Sequence, residues 1–427
     1  MKILAIESSC DETSASVLED VNGKISVLSN VTATSLNIHA TTGGIIPENA
    51  ARMQVKYIMP VIYEALCEAG DAERGTPTER AQVKQSETST SGGGVERQDP
   101  QKIKLAHEIL RTSIDAIAVT YGPGLIGSLL VGVETAKTLS YTFNKPLIPV
   151  NHLLAHIYAN FISNPTTYNL QPTIFPFIGL IVSGGHTDLL LFRKHGAFQW
   201  LGGTRDDAAG EALDKIGRLL NLPYPAGPEI ERRADLISNP SIKFKSPIMH
   251  EDNFDFSFSG LKTEVMRFIK EKGQANVDES DSKVVKKQNE TTDIPNRRLS
   301  HSEEEKAKRI HSAPSERHFQ TFSESFTNTV CYATQKAIID VLVKKTLKAA
   351  EKFDCKTILV GGGVSANQIF RDQFKLSILN SQFSISLFAP QKEYCTDNAA
   401  MIGAYALKNY KTVDWRKVNA NPELYFA

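Results

Sequence analysis

His152 and His156, four residues apart in Asn151-His-Leu-Leu-Ala-His156, are the side chains best placed by type and spacing to hold a metal ion. On a helix, positions i and i+4 lie one turn apart on the same face. Two imidazoles arranged this way chelate one cation and leave other coordination positions open. The alternative for such a pair is two satisfied interior or surface histidines. A metal needs a third ligand, and Asp397 in Tyr394-Cys-Thr-Asp-Asn-Ala-Ala400 is the candidate. Peptide hydrolysis of the zincin type would require a glutamate beside the first histidine as general base. Leu153 stands there, which weighs against a metalloprotease.

Other segments offer groups for a ligand. Glu7-Ser-Ser-Cys-Asp-Glu-Thr13 places Asp11 and Glu12 in a turn, where Asp11 is the candidate catalytic base; a turn aspartate without function is the alternative. Ser183-Gly-Gly-His-Thr187 follows an apolar strand. Its successive amides form either a phosphate cradle, with His186 as an added donor, or an ordinary hairpin turn. Thr357-Ile-Leu-Val-Gly-Gly-Gly-Val-Ser-Ala-Asn367 runs from a buried strand through three glycines into a helix, with Ser365 as the expected N-cap. It lacks the GxGxxG spacing of a dinucleotide site. Asn367 could bond a base or ribose, or the segment is a purely structural turn.

Asp206, Asp207, Glu211 and Asp214 cluster at a predicted helix start, and the last three share one face by spacing. They suit ribose or metal-bound water, or else the positive end of the helix dipole. Tyr224-Pro-Ala-Gly-Pro-Glu229 reads as a rigid turn in which Gly227 admits a ligand closely. Phe254-Asp-Phe-Ser-Phe-Ser-Gly-Leu-Lys-Thr263 alternates as an amphipathic strand does, with its aromatics in the core and Lys262 either solvated or on phosphate.

The elements that position these groups alternate short apolar strands with helical patterns, an α/β signature. Asn144-Lys-Pro-Leu-Ile-Pro-Val150 reads as a turn and a buried strand, so the histidine pair opens a helix at a strand's carboxyl end, where open α/β sheets bind ligands. The strand–turn–strand of Ile3–Leu18 recurs in Phe177–Phe192, which predicts a duplicated fold of two lobes with a cleft between them. The lobes are expected over 1–150 and 151–427. Two polar stretches, 70–103 and 273–317, read as insertions. The second carries Lys283, Lys286, Lys287, Arg297 and Arg298, which suit a solvated loop or an RNA-contacting arm.

The 427-residue chain has a formal net charge of zero, so no global basic field draws it to nucleic acid. Its five cysteines are scattered with no CxxC pair, which argues against a zinc ribbon or a disulfide framework and suits a reducing cytosol. No segment has the length of a membrane helix. The first strand begins at Met1 without a leader, so the expected location is the cytoplasm.

Taken in order, Glu7–Thr13, Gly43-Gly-Ile-Ile-Pro-Glu48, Tyr121-Gly-Pro-Gly-Leu-Ile-Gly-Ser128, the histidine helix, Ser183–Thr187 and Cys395–Ala400 resemble the TsaD family of tRNA threonylcarbamoyladenosine transferases, formerly labelled O-sialoglycoprotein endopeptidases. The resemblance covers nearly all of the chain outside the two polar stretches. It implies the two-lobed fold of actin, heat-shock ATPases and sugar kinases (ASKHA). It implies transfer of a threonylcarbamoyl group from L-threonylcarbamoyl-adenylate to N6 of the adenosine beside the tRNA anticodon; a carbamoyltransferase acting on a small molecule is the nearest alternative. It also implies metal ligation by His152, His156 and Asp397, with Fe2+ favoured over Zn2+, and adenylate contacts from Ile181, Val182, Ser183, Gly184, Gly185, Asp214, Gly227 and Asn367. The implied partners are tRNA, an inactive paralogue of the same fold and a small P-loop ATPase. Two departures stand out. Leu154-Ala155 replaces a common Glu-Gly, with little expected effect on the metal, and Ala226 replaces a glycine, which is expected to restrict its loop slightly.

Overall fold

A period of two in the apolar residues builds both sheets of the protein. In β1 (Lys2–Glu7), Ile3 and Ala5 enter one core and Leu4 and Ile6 the opposite one, all fully buried. In β6 (Phe177–Val182), Ile178, Leu180 and Val182 face one core and Phe177 and Ile181 the other. Strands apolar on both faces belong in sheets covered on both sides. The computed structural model describes residues 1–34, 46–74, 99–163, 175–237, 241–246, 252–272 and 322–426. Gly43–Ile45 of the early motif, most of both polar stretches and the basic clusters of the second lie outside the described residues.

The first sheet has the order β3-β2-β1-β4-β5, with β2 (Glu12–Val21), β3 (Lys24–Thr34), β4 (Ala116–Gly122) and β5 (Leu147–Asn151). The second has the order β8-β7-β6-β9-β10, with β7 (Thr187–Lys194), β8 (Ala197–Gly203), β9 (Thr357–Gly361) and β10 (Ser386–Phe388). In each, the first three strands form an antiparallel meander, and the remaining two run parallel to the first strand. The repeat expected from the two hairpins is therefore a repeat of whole sheets, and the fold is two-lobed α/β.

Helices α1 (Pro47–Arg74), α2 (Pro100–Thr112) and α3 (Ile126–Phe143) cover the outer face of the first sheet. Helices α5 (Ala209–Leu219), α6 (Gly227–Ala234), α7 (Ser259–Lys272), α8 (Glu324–Lys352) and α9 (Gln368–Leu379) lie on the outer side of the second. Between the sheets lie α4 (His152–Tyr158) and α10 (Ala399–Lys408), in a core shared by β1, β2, β5, β6, β7 and β9. The late helix α10 packs on β1 and β2, so the chain returns to the first sheet near its end. The segment beyond it ties the lobes together. Asn421 N–H donates to Tyr121 O at 2.7 Å on the first lobe, and the Tyr425 hydroxyl donates to Asp188 Oδ1 at 2.6 Å on the second.

Two glycines after β9 are required by close backbone, Gly361 against the central helix and Gly362 against the end of β6. A Cβ on Gly361 would stand 2.4 Å from the His156 carbonyl oxygen, and one on Gly362 2.4 Å from that of Val182, where φ is also +94°. Both clashes are with backbone, which cannot swing aside. Gly363, by contrast, faces open space.

Two local expectations are corrected. Residues 254–263 form no strand: Phe256 makes a single bridge to Thr204, and the chain enters α7 at Ser259. The aromatics Phe254, Phe256 and Phe258 are core residues as expected. The bend is held by Asp206, whose carboxylate accepts from Phe258 N–H (2.7 Å), Ser259 N–H (3.2 Å) and the hydroxyls of Ser257 and Ser259. A side chain that gathers a loop this way lets a segment of strand-like periodicity turn instead. In addition, Asn367 and not Ser365 caps α9, accepting from Phe370 N–H at 2.8 Å. Ser365 is already inside the short 3-10 turn Gly363–Ala366.

Two predictions follow from these contacts. Gly361→Ala should cost about 1–3 kcal/mol through overpacking, while Gly363→Ala should leave stability near wild type, as read by denaturant unfolding. Burial raises the Asp206 pKa, but its four hydrogen bonds outweigh that and hold it below the usual carboxylate range. Its stabilisation is thus present above the unfolded carboxylate pKa of about 3.9 and is lost as pH falls through the lower folded value. Asp206→Asn should be less stable than wild type at pH 7, and the gap should close as the medium is acidified below about pH 4.

Candidate metal centre

The helix carrying the histidines starts where β5 ends. Asn151 caps it, its Oδ1 accepting from Leu153 N–H (2.9 Å) and Leu154 N–H (3.1 Å). This satisfies first-turn amides that would otherwise be orphaned. His152 and His156 then project one turn apart, with ring centroids 4.8 Å from each other. Asp397 arrives from the loop before α10, where Asn398 caps that helix by accepting from Met401 N–H. Asp397 Oδ1 stands 3.5 Å from His152 Nε2 and 3.4 Å from His156 Nε2. One ligand atom from each of the three residues falls within 4.8 Å of the others. The structure thus brings the three sequence candidates together from segments more than two hundred residues apart.

The residues fit a cation. His156 is fully buried; its Nδ1 has no hydrogen-bond partner among the described residues, and its Nε2 has only the 3.4 Å contact with Asp397. Orphaned buried polar atoms of this kind are rare and costly. A positive ion beside Nε2 satisfies that nitrogen and the carboxylate at once. Two imidazoles and a carboxylate suit Fe2+ or Zn2+. Burial opposes charge on His152, but Glu7 and Asp397 push its pKa up to about 9. Burial also opposes charge on Asp397, yet His152 and His156 hold it well below the usual carboxylate range. In His156, burial dominates and lowers the pKa. A carboxylate that stays ionised beside two imidazoles when buried is what a metal site requires.

Glu7, at the end of β1, was not singled out in the sequence. It is fully buried and lies 3.1 Å from His152 Nδ1 through Oε2. The first hairpin turn also brings Asp11 and Glu12 toward the centre. Burial first, then Asp11 and Asp397, pushes the Glu12 carboxyl well above its usual range. The second hairpin turn faces the centre as well: burial, then His152 and His156, lowers the His186 pKa to about 4. In that turn Ser183 N–H donates to His186 O, and His186 N–H to Ser183 Oγ. The amides of Gly184 and Gly185 donate to nothing among the described residues, and a Cβ on either would meet open space. Ile181 and Val182 are fully buried at the end of β6 and support the turn.

The remaining candidates are placed as follows. Asp214 Oδ1 accepts from Ala226 N–H at 2.7 Å and so fixes the turn before Gly227. Burial raises its pKa, and the amides of Ala226 and Gly227 pull the other way. Ala226 has φ −84°, ordinary for any residue, and its side chain lies against Gly217, so it sits in this turn without backbone strain. Asp207 and Glu211 both pair with Lys215, so they do not converge with Asp214 on a ligand. Asn367 is engaged at both ends of its amide, with Phe370 N–H and, through Nδ2, Gln335 Oε1 at 2.8 Å. Tyr224 also belongs to the cleft. Burial, then Asp214 and Asp11, pushes its pKa to about 12, so it lies under the influence of carboxylates from both lobes. Leu153, Leu154 and Ala155 are buried in the core between the sheets, so the helix itself carries no glutamate next to His152 as a zincin's would.

Comparison with known proteins accords with this site. The sequence model described as "TsaD: tRNA N6-adenosine threonylcarbamoyltransferase" matches residues 26–73 and 102–404. A tRNA N6-adenosine threonylcarbamoyltransferase of Moorella thermoacetica is 36% identical over 99% of this chain and 96% of its own length. That of Kosmotoga olearia is 36% identical over 100% and 99%, and that of Clostridium kluyveri 37% over 99% and 96%. Among solved structures, YeaZ from Pseudomonas aeruginosa is 15% identical with a TM-score of 0.24, covering 47% of this chain and 65% of that one. T. kodakarensis HypF is 12% identical with a TM-score of 0.46, covering 76% and 45%. With a family model matched over most of its length and relatives above 30% identity from end to end, the chain belongs to the TsaD family of tRNA N6-adenosine threonylcarbamoyltransferases.

Proposed function

We propose that the protein moves the threonylcarbamoyl group of L-threonylcarbamoyl-adenylate to N6 of the adenosine beside the anticodon of tRNA, releasing AMP, with one divalent ion held by His152, His156 and Asp397. Fe2+ is the favoured ion and Zn2+ the alternative. The observation that carries this is the meeting of one ligand atom from each of the three residues at the buried ring of His156. Family membership names tRNA adenosine as acceptor, which disfavours a small-molecule carbamoyl acceptor.

When bound, the ion supplies Lewis acidity toward a phosphate or carbamoyl oxygen. The chain's own residues do the rest. The free amides of Gly184 and Gly185, reinforced by the turn of Ser183, suit the phosphate of the adenylate. Ile181 and Val182 brace that turn from below. Asp214 holds the loop that presents Gly227, and through it one wall for the nucleoside. Asn367 serves that wall chiefly by capping α9, because both ends of its amide are engaged. The amino group of adenosine is a weak nucleophile, so positioning and proton removal govern the rate. Asp11, beside Glu12, whose carboxyl burial pushes well above its usual range, is the base we assign.

For partners, the neutral chain favours shared tRNA binding over a single basic face. Val55 on α1 and Ile126 and Leu130 on α3 are exposed, and these helices meet closely where Gly127 packs on Ala51. An apolar face of this kind suits an inactive paralogue of the same fold, with a small P-loop ATPase as further partner. Among the described residues no helix is long and apolar enough to cross a membrane, and all five cysteines are free, which supports a cytoplasmic location.

Two outcomes test this account. His152→Ala combined with His156→Ala should abolish metal retention and transfer while leaving the fold intact; elemental analysis of the purified variant showing full occupancy contradicts it. Because His152 carries a proton below about pH 9, binding must release it, so affinity should fall by about tenfold per pH unit as pH drops from there. Second, supplied with the adenylate, its partner proteins and tRNA, the wild type should yield the modified nucleoside by mass analysis. Asp11→Asn should slow transfer by about 10²–10⁴-fold with metal content unchanged. An unmodified adenosine with the wild type would instead favour a small-molecule acceptor.

A further inference from the structure

We infer that Glu7 is the positioning residue of the metal centre, holding His152 by Nδ1 so that Nε2 is presented to the ion. The inference rests on the metal reading given above, and goes beyond it by assigning a residue outside the ligand set.

Glu7 ends β1 with no exposed surface, in a place where an ionised carboxylate survives only if its lone pairs are filled. They are filled from three directions. Ser9 N–H donates to Oε1 at 2.6 Å, the Thr120 hydroxyl donates to Oε2, and His152 Nδ1 lies 3.1 Å from Oε2. Thr120 is on β4, the parallel neighbour of β1, and Ser9 is in the turn that follows β1. The carboxylate is therefore fixed by sheet and turn before it meets the imidazole. The Ser9 hydroxyl, 3.2 Å from the same nitrogen, adds a second polar contact on that side.

The opposite nitrogen, His152 Nε2, faces Asp397. A neutral imidazole that donates Nδ1–H to a carboxylate has its free lone pair on Nε2, and becomes a better donor to a cation. Glu7 thereby selects both the tautomer and the ring orientation. No equivalent group serves His156, whose Nδ1 has no hydrogen-bond partner among the described residues. The centre has one ligand oriented by an outer carboxylate and one held by packing alone. Glu7 has no side-chain contact with Asp397 or His156 among its hydrogen bonds, so its effect passes through His152.

The test uses the full chain, stripped of metal and titrated with Co2+, reading affinity and the visible ligand-field spectrum, with thermal melting of the metal-free protein alongside. Glu7→Gln should weaken Co2+ binding by about 10–100-fold and alter the spectrum. Thr120→Val, which keeps the carboxylate and removes one tether, should shift both in the same direction by less. A merely structural role would lower the melting temperature and leave the spectrum of the bound ion unchanged. Wild-type affinity and spectrum in Glu7→Gln overturn the inference; if that variant does not fold, wild-type affinity and spectrum in Thr120→Val overturn it. A wild-type protein that takes up no Co2+ overturns the metal reading itself, and is thereby distinguished from a failure of Glu7 alone.

Discussion

Two carboxylates, the fully buried Glu7 and the partly exposed Asp397, stand on opposite sides of one imidazole, and most of the site follows from what keeps them there. A carboxylate removed from water is tolerated only with hydrogen bonds and opposite charge around it. Glu7 receives its donors from the first hairpin and β4. Asp397 depends on the histidines, and the Nδ1 of His156 has no hydrogen-bond partner among the described residues. A divalent cation, as proposed, would compensate the negative charge and bind the three residues together. The centre lies where β1, β5, α4 and the loop before α10 meet.

The duplicated lobes give that junction its setting. Each sheet contributes a hairpin turn, Ser8–Asp11 from the first and Ser183–His186 from the second. Helix α4 and the loop before α10 supply the three candidate ligands. Gly361 lets α4 approach the second sheet, its missing Cβ leaving room for the His156 carbonyl. A cleft assembled this way has acidic groups on one wall and open amides on the other. That polarity suits an acyl-adenylate, whose phosphate seeks donors and whose acceptor amine must lose a proton.

Much of this was legible in the sequence because it was written in local periods. The strand alternation, the i,i+4 histidines and the two hairpins require only neighbours along the chain. What was not legible depends on distant packing. Glu7 reads as the polar end of a strand until Thr120 and His152 close around it. Residues 254–258 have the alternation of a strand, but Asp206, some fifty positions earlier, gathers them into a bend. Asn367 and Ser365 are equally good caps by composition, and the 3-10 turn decides between them. Asp207, Glu211 and Asp214 share spacing, but Lys215 takes two of them and the amide of Ala226 the third. In the histidine pair the sequence offered a chelate; the structure brings Asp397 to both rings, an arrangement compatible with a metal ion.

X-ray absorption at the metal edge of the loaded, purified protein tests the central claim most directly. The account predicts a sulfur-free ligand shell of two imidazole nitrogens and carboxylate oxygen, completed by light atoms, with nitrogen and oxygen distances near 2.0–2.2 Å for a zinc-like ion. A sulfur shell near 2.3 Å, or a shell without imidazole scattering, would contradict it.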